Sequence, residues 1–359
     1  MATISLCMIV KDEEQVLARC LESVKGAVDE IVVVDTGSTD RTREIARGYT
    51  ARVYDFAWVD DFAAARNFSF SRAKMDYILW LDADDLLLPA DREALMELKG
   101  TLDADVVMMR YNVAFDEGGN PTFSYYRERL LRRAANFCWE GAVHEAITPA
   151  GKVVYSEIAV THRKQGPRDP GRNLRILERL LAKGEALDPR QRFYYARELF
   201  DAGRYREADA AFQAFLDGGD GWVENEIDAC RQQALCRRAL GDEEGALRSL
   251  LRSFCYGAPR AELCCELGRV FFDREDWRTA AFWYELAATR PRDDRSGGFV
   301  LPDCYGYIPY LQLCVCHDRL GDRERARSCN ELAAALKPED PAVLHNRAYF
   351  AALDGGETS

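Results

Sequence analysis

No stretch of this 359-residue chain approaches the roughly 20 consecutive apolar residues that a membrane-spanning helix needs. Its opening, MATISLCMIVKDEE, has neither the basic start nor the long apolar run of a signal peptide. A cytoplasmic protein with no transmembrane segment is therefore expected. Positive charge is in deficit: 48 basic residues face 60 acidic ones, a formal net charge of −12. That balance argues against nucleic acid as a partner, because sequence-independent binding needs clustered Lys and Arg. No CxxC pair occurs among the 12 cysteines, which excludes zinc-ribbon and thioredoxin-type sites. The cysteines are scattered through apolar stretches and read as buried, reduced thiols. What is present is an ordinary globular mixture, 48 % apolar and 30 % charged, which excludes wholesale disorder. The length suggests about two domains.

The two halves have different rhythms. Up to about residue 165, apolar runs (Ile4 to Val10, Glu30 to Val34, Arg52 to Tyr54, Tyr77 to Leu81) alternate with helix-like stretches (Glu13 to Val24, Thr39 to Ala46, Asp61 to Ala73). Near-continuous apolar strands between helices predict a parallel sheet covered on both faces, with ligands beyond the C-terminal strand ends. From about 171 the pattern is helical and repeats. When Gly203, Gly241, Glu275 and Gly321 are aligned, alanine follows five residues later in all four: Ala208, Ala246, Ala280 and Ala326. Phe212, Leu250, Tyr284 and Asn330 follow at nine. The spacings of 38, 34 and 46 residues resemble a degenerate tetratricopeptide array over 188–353, whose unit is about 34 residues. The long third interval holds the insertion PRDDRSGGFVLPD. GPRDPGR (166–172) reads as the linker, which gives domains 1–167 and 168–359.

The polar residues of the first half gather at strand ends. VVVDTGSTD places Asp35 at a strand tip, before small residues and a helix N-terminus. A carboxylate there can accept from a base N–H or ribose hydroxyls, or it can simply cap the helix. LWLDADD places Asp82, Asp84 and Asp85 after another strand. Adjacent carboxylates repel unless solvated or neutralised by a cation, and hard oxygen donors of this kind suit Mg²⁺ or Mn²⁺. An extended segment would point Asp82 and Asp84 the same way. Arg127, Arg129, Arg132 and Arg133 form a local basic run in an acidic chain.

Four motifs in order, SLCMIVKDEEQVLARCLESV, DEIVVVDTGSTDRT, DDFAAARNFSF and YILWLDADD, resemble the catalytic domain of glycosyltransferase family 2 over roughly residues 3–165. The resemblance implies an α/β GT-A-type nucleotide-sugar-binding domain, followed here by an all-α tetratricopeptide-like domain. Relatives with this organisation include peptide S- and O-glycosyltransferases, and shorter ones build lipopolysaccharide cores. The implied activity is inverting, metal-dependent hexosyl transfer from a nucleotide-diphosphate sugar, UDP-linked by expectation, with Mn²⁺ or Mg²⁺. Carried over by position, Val10, Lys11, Glu13 and Asp35 surround the base. Asp12 stands where many relatives have Asn. Asp82 and Ala83 contact the ribose or sugar, Asp84 binds the cation, and Arg66 offsets phosphate charge.

WEGAVHEAI occupies the family's acceptor side. There Glu145 is the expected base and Glu140 its alternative, with Trp139 and His144 toward the acceptor. His162 is expected as a further metal ligand, and Arg163 and Lys164 as diphosphate neutralisers. The array is expected to present a peptide or protein acceptor, and a homodimer is compatible with it. The alternatives are a lipopolysaccharide core glycosyltransferase and a tetratricopeptide scaffold with a decayed catalytic domain. A sugar-nucleotide pyrophosphorylase would need a Gly-rich loop after the first strand, and CMIVKDEE has none.

Overall fold

In a computed structural model of the protein, residues 1–116, 118–163 and 169–356 are described. The chain divides into two compact units, Met1–Leu187 and Asp188–Ser359.

The first unit runs β1 (Ile4–Val10), α1 (Leu17–Ser23), β2 (Glu30–Asp35), α2 (Thr42–Tyr49), β3 (Val53–Asp55), α3 (Phe62–Phe70), β4 (Tyr77–Trp80), β5 (Asp85–Leu87), α4 (Pro89–Leu98), β6 (Val106–Phe115), β7 (Pro121–Arg132), β8 (Val153–His162) and α5 (Arg172–Ala182). The sheet order is β3-β2-β1-β4-β7-β6-β8-β5. β1 to β4 are mutually parallel, as the apolar runs predict. Along β1 the period of two is plain: Ile4, Leu6, Met8 and Val10 enter one core, and Cys7 enters the other with Val32, Ile78 and Trp80. The remaining half is mixed, with β7 antiparallel to both β4 and β6. An all-parallel sheet is thus corrected to a mixed one of eight strands. β7 carries the run Arg127, Glu128 and Arg129 before two leucines and is flanked on both sides by β4 and β6, so its arginines do not lie on a sheet edge.

Helix α5 falls within the first unit, beyond the 167/168 boundary that the Gly/Pro-rich linker suggested. Its residues explain this. Leu174, Ile176 and Leu177 are buried, Arg172 lies over Phe62 at 4.7 Å, and Arg179 pairs with Asp60 at 2.7 Å.

The second unit is a run of helical hairpins: α6 (Pro189–Asp201) with α7 (Tyr205–Gly218), α8 (Val223–Ala239) with α9 (Glu243–Arg252), α10 (Ala261–Asp273) with α11 (Trp277–Ala288), and α12 (Tyr307–Arg319) with α13 (Arg323–Leu336). A last helix, α14 (Pro341–Gly356), follows. The four aligned positions, Gly203, Gly241, Glu275 and Gly321, are the hairpin turns, and all have positive φ (72°, 81°, 58° and 83°). In each turn the next N–H reaches back to close the preceding helix: Arg204 to Leu199, Asp242 to Arg237, Asp276 to Phe271, and Asp322 to His317, at 2.8–2.9 Å. Asp242, Asp276 and Asp322 then cap the second helix. The four alanines are fully buried, as close helix approach requires, and the residues at nine are buried beside them. Buried Asn330 is satisfied by the Val343 carbonyl and the Asn346 amide.

Glu275 is exposed and carries a left-handed backbone without glycine's freedom. Glu275→Gly is expected to raise the stability of the chain by about 0.5–1 kcal/mol, the relief of strain exceeding the added unfolded-state entropy. A urea titration checks this, and a lowered midpoint would contradict it.

All twelve cysteines are free. Nine are buried, Cys329 is half-buried, and Cys138 and Cys255 are exposed. No described helix is long and apolar enough to cross a membrane.

Candidate active site

The parallel strands end together. Val10 of β1, Asp35 of β2 and Asp55 of β3 lie in one register row, and Asp82 follows the end of β4. Asp35 is completely buried. One carboxylate oxygen, Oδ1, accepts from the Gly37 and Ser38 amides (3.0 and 2.9 Å) and from Arg43 Nε (2.8 Å). Burial opposes ionisation here, but the Ser38, Arg43 and Gly37 donors outweigh it and hold the carboxyl below its ordinary value. The other oxygen, Oδ2, is buried with no partner among the described residues. Buried acceptors are almost always satisfied, so an orphan at a strand tip fits a missing donor such as a base N–H. The loop beside it is laced tightly. Asp12, with φ 54°, accepts from the Thr39 amide, and its own amide donates to Ser38 Oγ. Asp tolerates this backbone as Asn does. Val10 is buried and offers its carbonyl to Thr36, Lys11 is exposed, and the Glu13 amide donates to Thr42 Oγ1.

LDADD is a turn, not the extended segment expected. The Asp85 amide donates to the Asp82 carbonyl (3.0 Å), and the Asp82 amide donates to Asp85 Oδ2 (3.1 Å). Asp82 and Asp84 therefore diverge. Asp82 Oδ1 accepts from Arg66 Nη2 at 2.8 Å, whereas Asp84 Oδ1 lies 3.4 Å from His162 Nδ1. Buried Ala83 forms the floor between them. β5 opens at Asp85, whose register partner across to β8 is His162. This pairing brings Asp84, Asp85 and His162 together, with one ligand atom from each within 4.8 Å of the others. Burial, together with the Asp82 and Asp85 charges, pushes the Asp84 carboxyl up against the opposing pull of His162. His162 is itself raised, first by its hydrogen bond to Asp85 and against its burial. Asp84 pairs with no Lys or Arg among the described residues, and two carboxylates with an imidazole are a donor set that fits a divalent cation.

The sequence names Asp85 among the clustered carboxylates and Arg129 within a basic run but does not join the two, and Tyr111 it does not single out at all. Arg129 is fully buried, donates to Asp85 Oδ2 (2.9 Å) and to the Trp80 carbonyl (3.2 Å), and is sandwiched by Trp80 and Tyr111. The Tyr111 hydroxyl donates to Asp85 Oδ1 at 3.0 Å. The four arginines of β7 and its end do not act as one patch. Arg127 pairs with Glu128, Arg132 with Asp103 and Asp105, and Arg133 with the Met75 carbonyl. An acidic residue or a carbonyl meeting each arginine cannot be read from one strand's sequence.

Helix α3 binds the 139–147 loop to this centre. Asp61 caps it, accepting from the Ala64 amide. Asn67 clamps the Trp139 backbone from both sides (2.9 and 2.8 Å). Arg66 is shared: Nε donates to Glu145 Oε1 at 2.6 Å while Nη2 holds Asp82. The loop closes on itself through reciprocal Glu140 and Ala146 backbone bonds. Glu140 is exposed, and His144, with φ 51°, faces Asn173 of α5. Trp139 requires a correction. It is 3 % exposed and packed edge-on against Trp80 and Phe70 beneath Arg66, so it turns into the core and not toward the acceptor. The Arg163 guanidinium lies over Phe115 at 3.8 Å, and the Arg163 amide donates to the Asp84 carbonyl. Lys164 lies outside the described residues.

Residues 5–150 match the family model described as glycosyl transferase family 2. Over 148 residues the chain is 43 % identical to a TPR repeat-containing protein of Synechococcus elongatus, covering 41 % of this chain and 36 % of that one. It is 28 % identical over 224 residues to the SPbeta prophage-derived glycosyltransferase SunS of Bacillus subtilis, with coverages of 57 % and 51 %. It is 30 % identical over 159 residues to the lipopolysaccharide core biosynthesis glycosyltransferase LpsC of Rhizobium meliloti, with coverages of 42 % and 58 %. The chain thus spans between about a third and three fifths of these relatives.

Proposed function

We propose that this chain, whose sheet unit carries a glycosyl transferase family 2 domain joined to a tetratricopeptide-like array, transfers a sugar from a uridine-diphosphate donor to a peptide or protein side chain with inversion. The observation that carries the reading is a pair of features beyond the C-terminal ends of β2 and β4, the two strands that flank β1: an Asp35 oxygen with no partner among the described residues, and the Asp84–Asp85–His162 cluster that begins four residues past β4. Asp35 accepts from the base, flanked by Val10, Lys11 and Glu13. Asp82, oriented by Arg66, contacts the ribose or sugar beside Ala83. Mn²⁺ or Mg²⁺ would be held by Asp84 and His162, with Asp85 behind them, and it supplies charge compensation for the leaving diphosphate. Arg163, whose amide donates to the Asp84 carbonyl, adds positive charge for the diphosphate, and Lys164 is proposed for the same role on the family resemblance alone.

Glu145 takes the acceptor's proton. Its tie to Arg66 fixes the carboxylate relative to Asp82, so donor and base are registered through one guanidinium. Glu145→Gln is expected to fold and bind donor normally yet lose transfer by about 10²–10⁴-fold. Turnover assays with separate donor titration check this. Normal turnover would move the role to Glu140. The acceptor class rests on the array, since solenoid surfaces commonly hold extended segments. The named activity of LpsC favours a lipopolysaccharide core sugar as the second reading. Release of free UDP from a panel of UDP-sugars, first alone and then with peptide or core oligosaccharide, separates the two.

A further inference from the structure

The insertion at 291–303 does not project from the repeats but folds back across them. The Phe299 ring lies 5.8 Å from Phe193 of α6, and Arg197 of the same helix places its guanidinium 4.3 Å from the Phe299 centroid. A Cβ at Gly297 would meet Trp222, and one at Gly298 would collide with the Glu224 carboxylate at the start of α8. Glycine permits this close passage. The Leu301 amide then donates to Glu262 Oε1 on α10 at 2.8 Å, and the Tyr305 hydroxyl donates to Oε2 at 3.1 Å. The segment therefore touches the leading helices of three successive hairpins. Beneath it remains a cavity of about 20 Å³ lined by Glu224, Asp228, Arg231, Glu262, Phe299 and Tyr305, room for about one water.

The floor is polar where a closed core would be apolar. Glu224, Asp228 and Glu262 are each less than a tenth exposed. Glu224 pairs with Arg260 (2.6 Å) and Asp228 with Arg231 (2.9 Å), but Asp228 Oδ2 is buried with no partner among the described residues. Both hydrogen bonds of the Glu262 side chain come from the insertion and the turn that follows it. Carboxylates kept at such cost in the interior fit a surface that receives the N–H and hydroxyl donors of a crossing chain.

We propose that α6, α8 and α10 form a peptide groove whose built-in occupant is the chain's own residues 297–301, and that a partner peptide enters by displacing them. The partner is an extended segment with an aromatic side chain for the Phe193–Arg197 seat. Small residues precede it, to pass Glu224, and acidic side chains are absent from the stretch that meets the buried carboxylates. The proposal goes beyond sugar transfer and does not depend on it, because its test reads binding alone.

The probe is a fluorescently labelled synthetic peptide, RSGGFVLPD, the chain's own residues 295–303. It is titrated by polarisation into the full chain and into a variant with 297–301 replaced by Gly and Ser at equal length. Binding is expected to be at least about tenfold tighter to the variant, and to be lost when the peptide's phenylalanine becomes alanine. Equal binding to both chains, or none to a variant with the parent's circular dichroism, overturns the proposal. Should the variant misfold, amide exchange on the unmodified chain decides. Excess peptide is expected to speed exchange at Leu301 by about tenfold, and an unchanged rate overturns the displacement.

Discussion

Asp84→Ala is expected to abolish divalent-cation-dependent binding of UDP, weakening it by about 100-fold or more, and with it any sugar transfer. Asp84 offers the cluster an oxygen that no other tie holds fully. Among the described residues its ion-pair partner is His162, while Asp82 is committed to Arg66 and Asp85 to Arg129 and Tyr111. Even the loss of groups that merely support a ligand costs about 10–100-fold in metal affinity, so the loss of the ligand itself should cost at least as much. Calorimetry of UDP with and without Mn²⁺ gives the answer. The parent should show heat only when both are present, and Asp84→Ala should show none. A variant with undiminished Mn²⁺-dependent heat would remove Asp84 from the cation and with it the central step of the proposed chemistry.

The second large effect concerns stability. Arg129→Leu should cost about 3–5 kcal/mol, read as a shift in the urea midpoint. Arg129 and Asp85 are both wholly buried, and the guanidinium lies 3.7 Å from the Trp80 centroid and 4.2 Å from that of Tyr111. Removing one member of such a pair strands the other's charge in the interior. The double variant Arg129→Leu, Asp85→Leu should recover much of the loss, because an apolar pair needs no partner. It should nonetheless bind the cation poorly, since the cluster loses a carboxylate. If Arg129→Leu alone costs less than about 1 kcal/mol, the site admits water and the Arg129–Asp85 pair is not desolvated in solution.

The sequence made the parallel strands legible because their apolar runs have no other stable use. Ile4–Val10 and Glu30–Asp35 fall within a residue of their expected limits. The repeats were legible for a sterner reason: a left-handed turn and a buried alanine recur at a fixed offset, and both are hard to replace. The strands β6 to β8 of the mixed half were not legible as a group, because β7 mixes arginine and glutamate with leucine. Only the facing strands reveal which of those charges are buried. The same gap left the role of Asp85 open. Three aspartates within four residues look interchangeable until the turn sends each to a different basic partner, and the register of β5 against β8 that pairs Asp85 with His162 is a long-range fact. Trp139 shows the limit from the other side. Its neighbourhood in the chain was read as acceptor-facing, yet Asn67 and Arg66 draw it into the core.

The cysteines have a practical consequence. Nine interior thiols are shielded, and burial also pushes the half-buried Cys329 thiol up, leaving little of the reactive thiolate there. The two outward-facing ones, Cys138 and Cys255, fall one on the sheet unit and one on the helical unit. Maleimide dyes applied to the unaltered chain should therefore settle as a donor–acceptor couple spanning both halves. Energy transfer between them then reports, without any engineered label site, whether the halves move as nucleotide, metal or peptide is added.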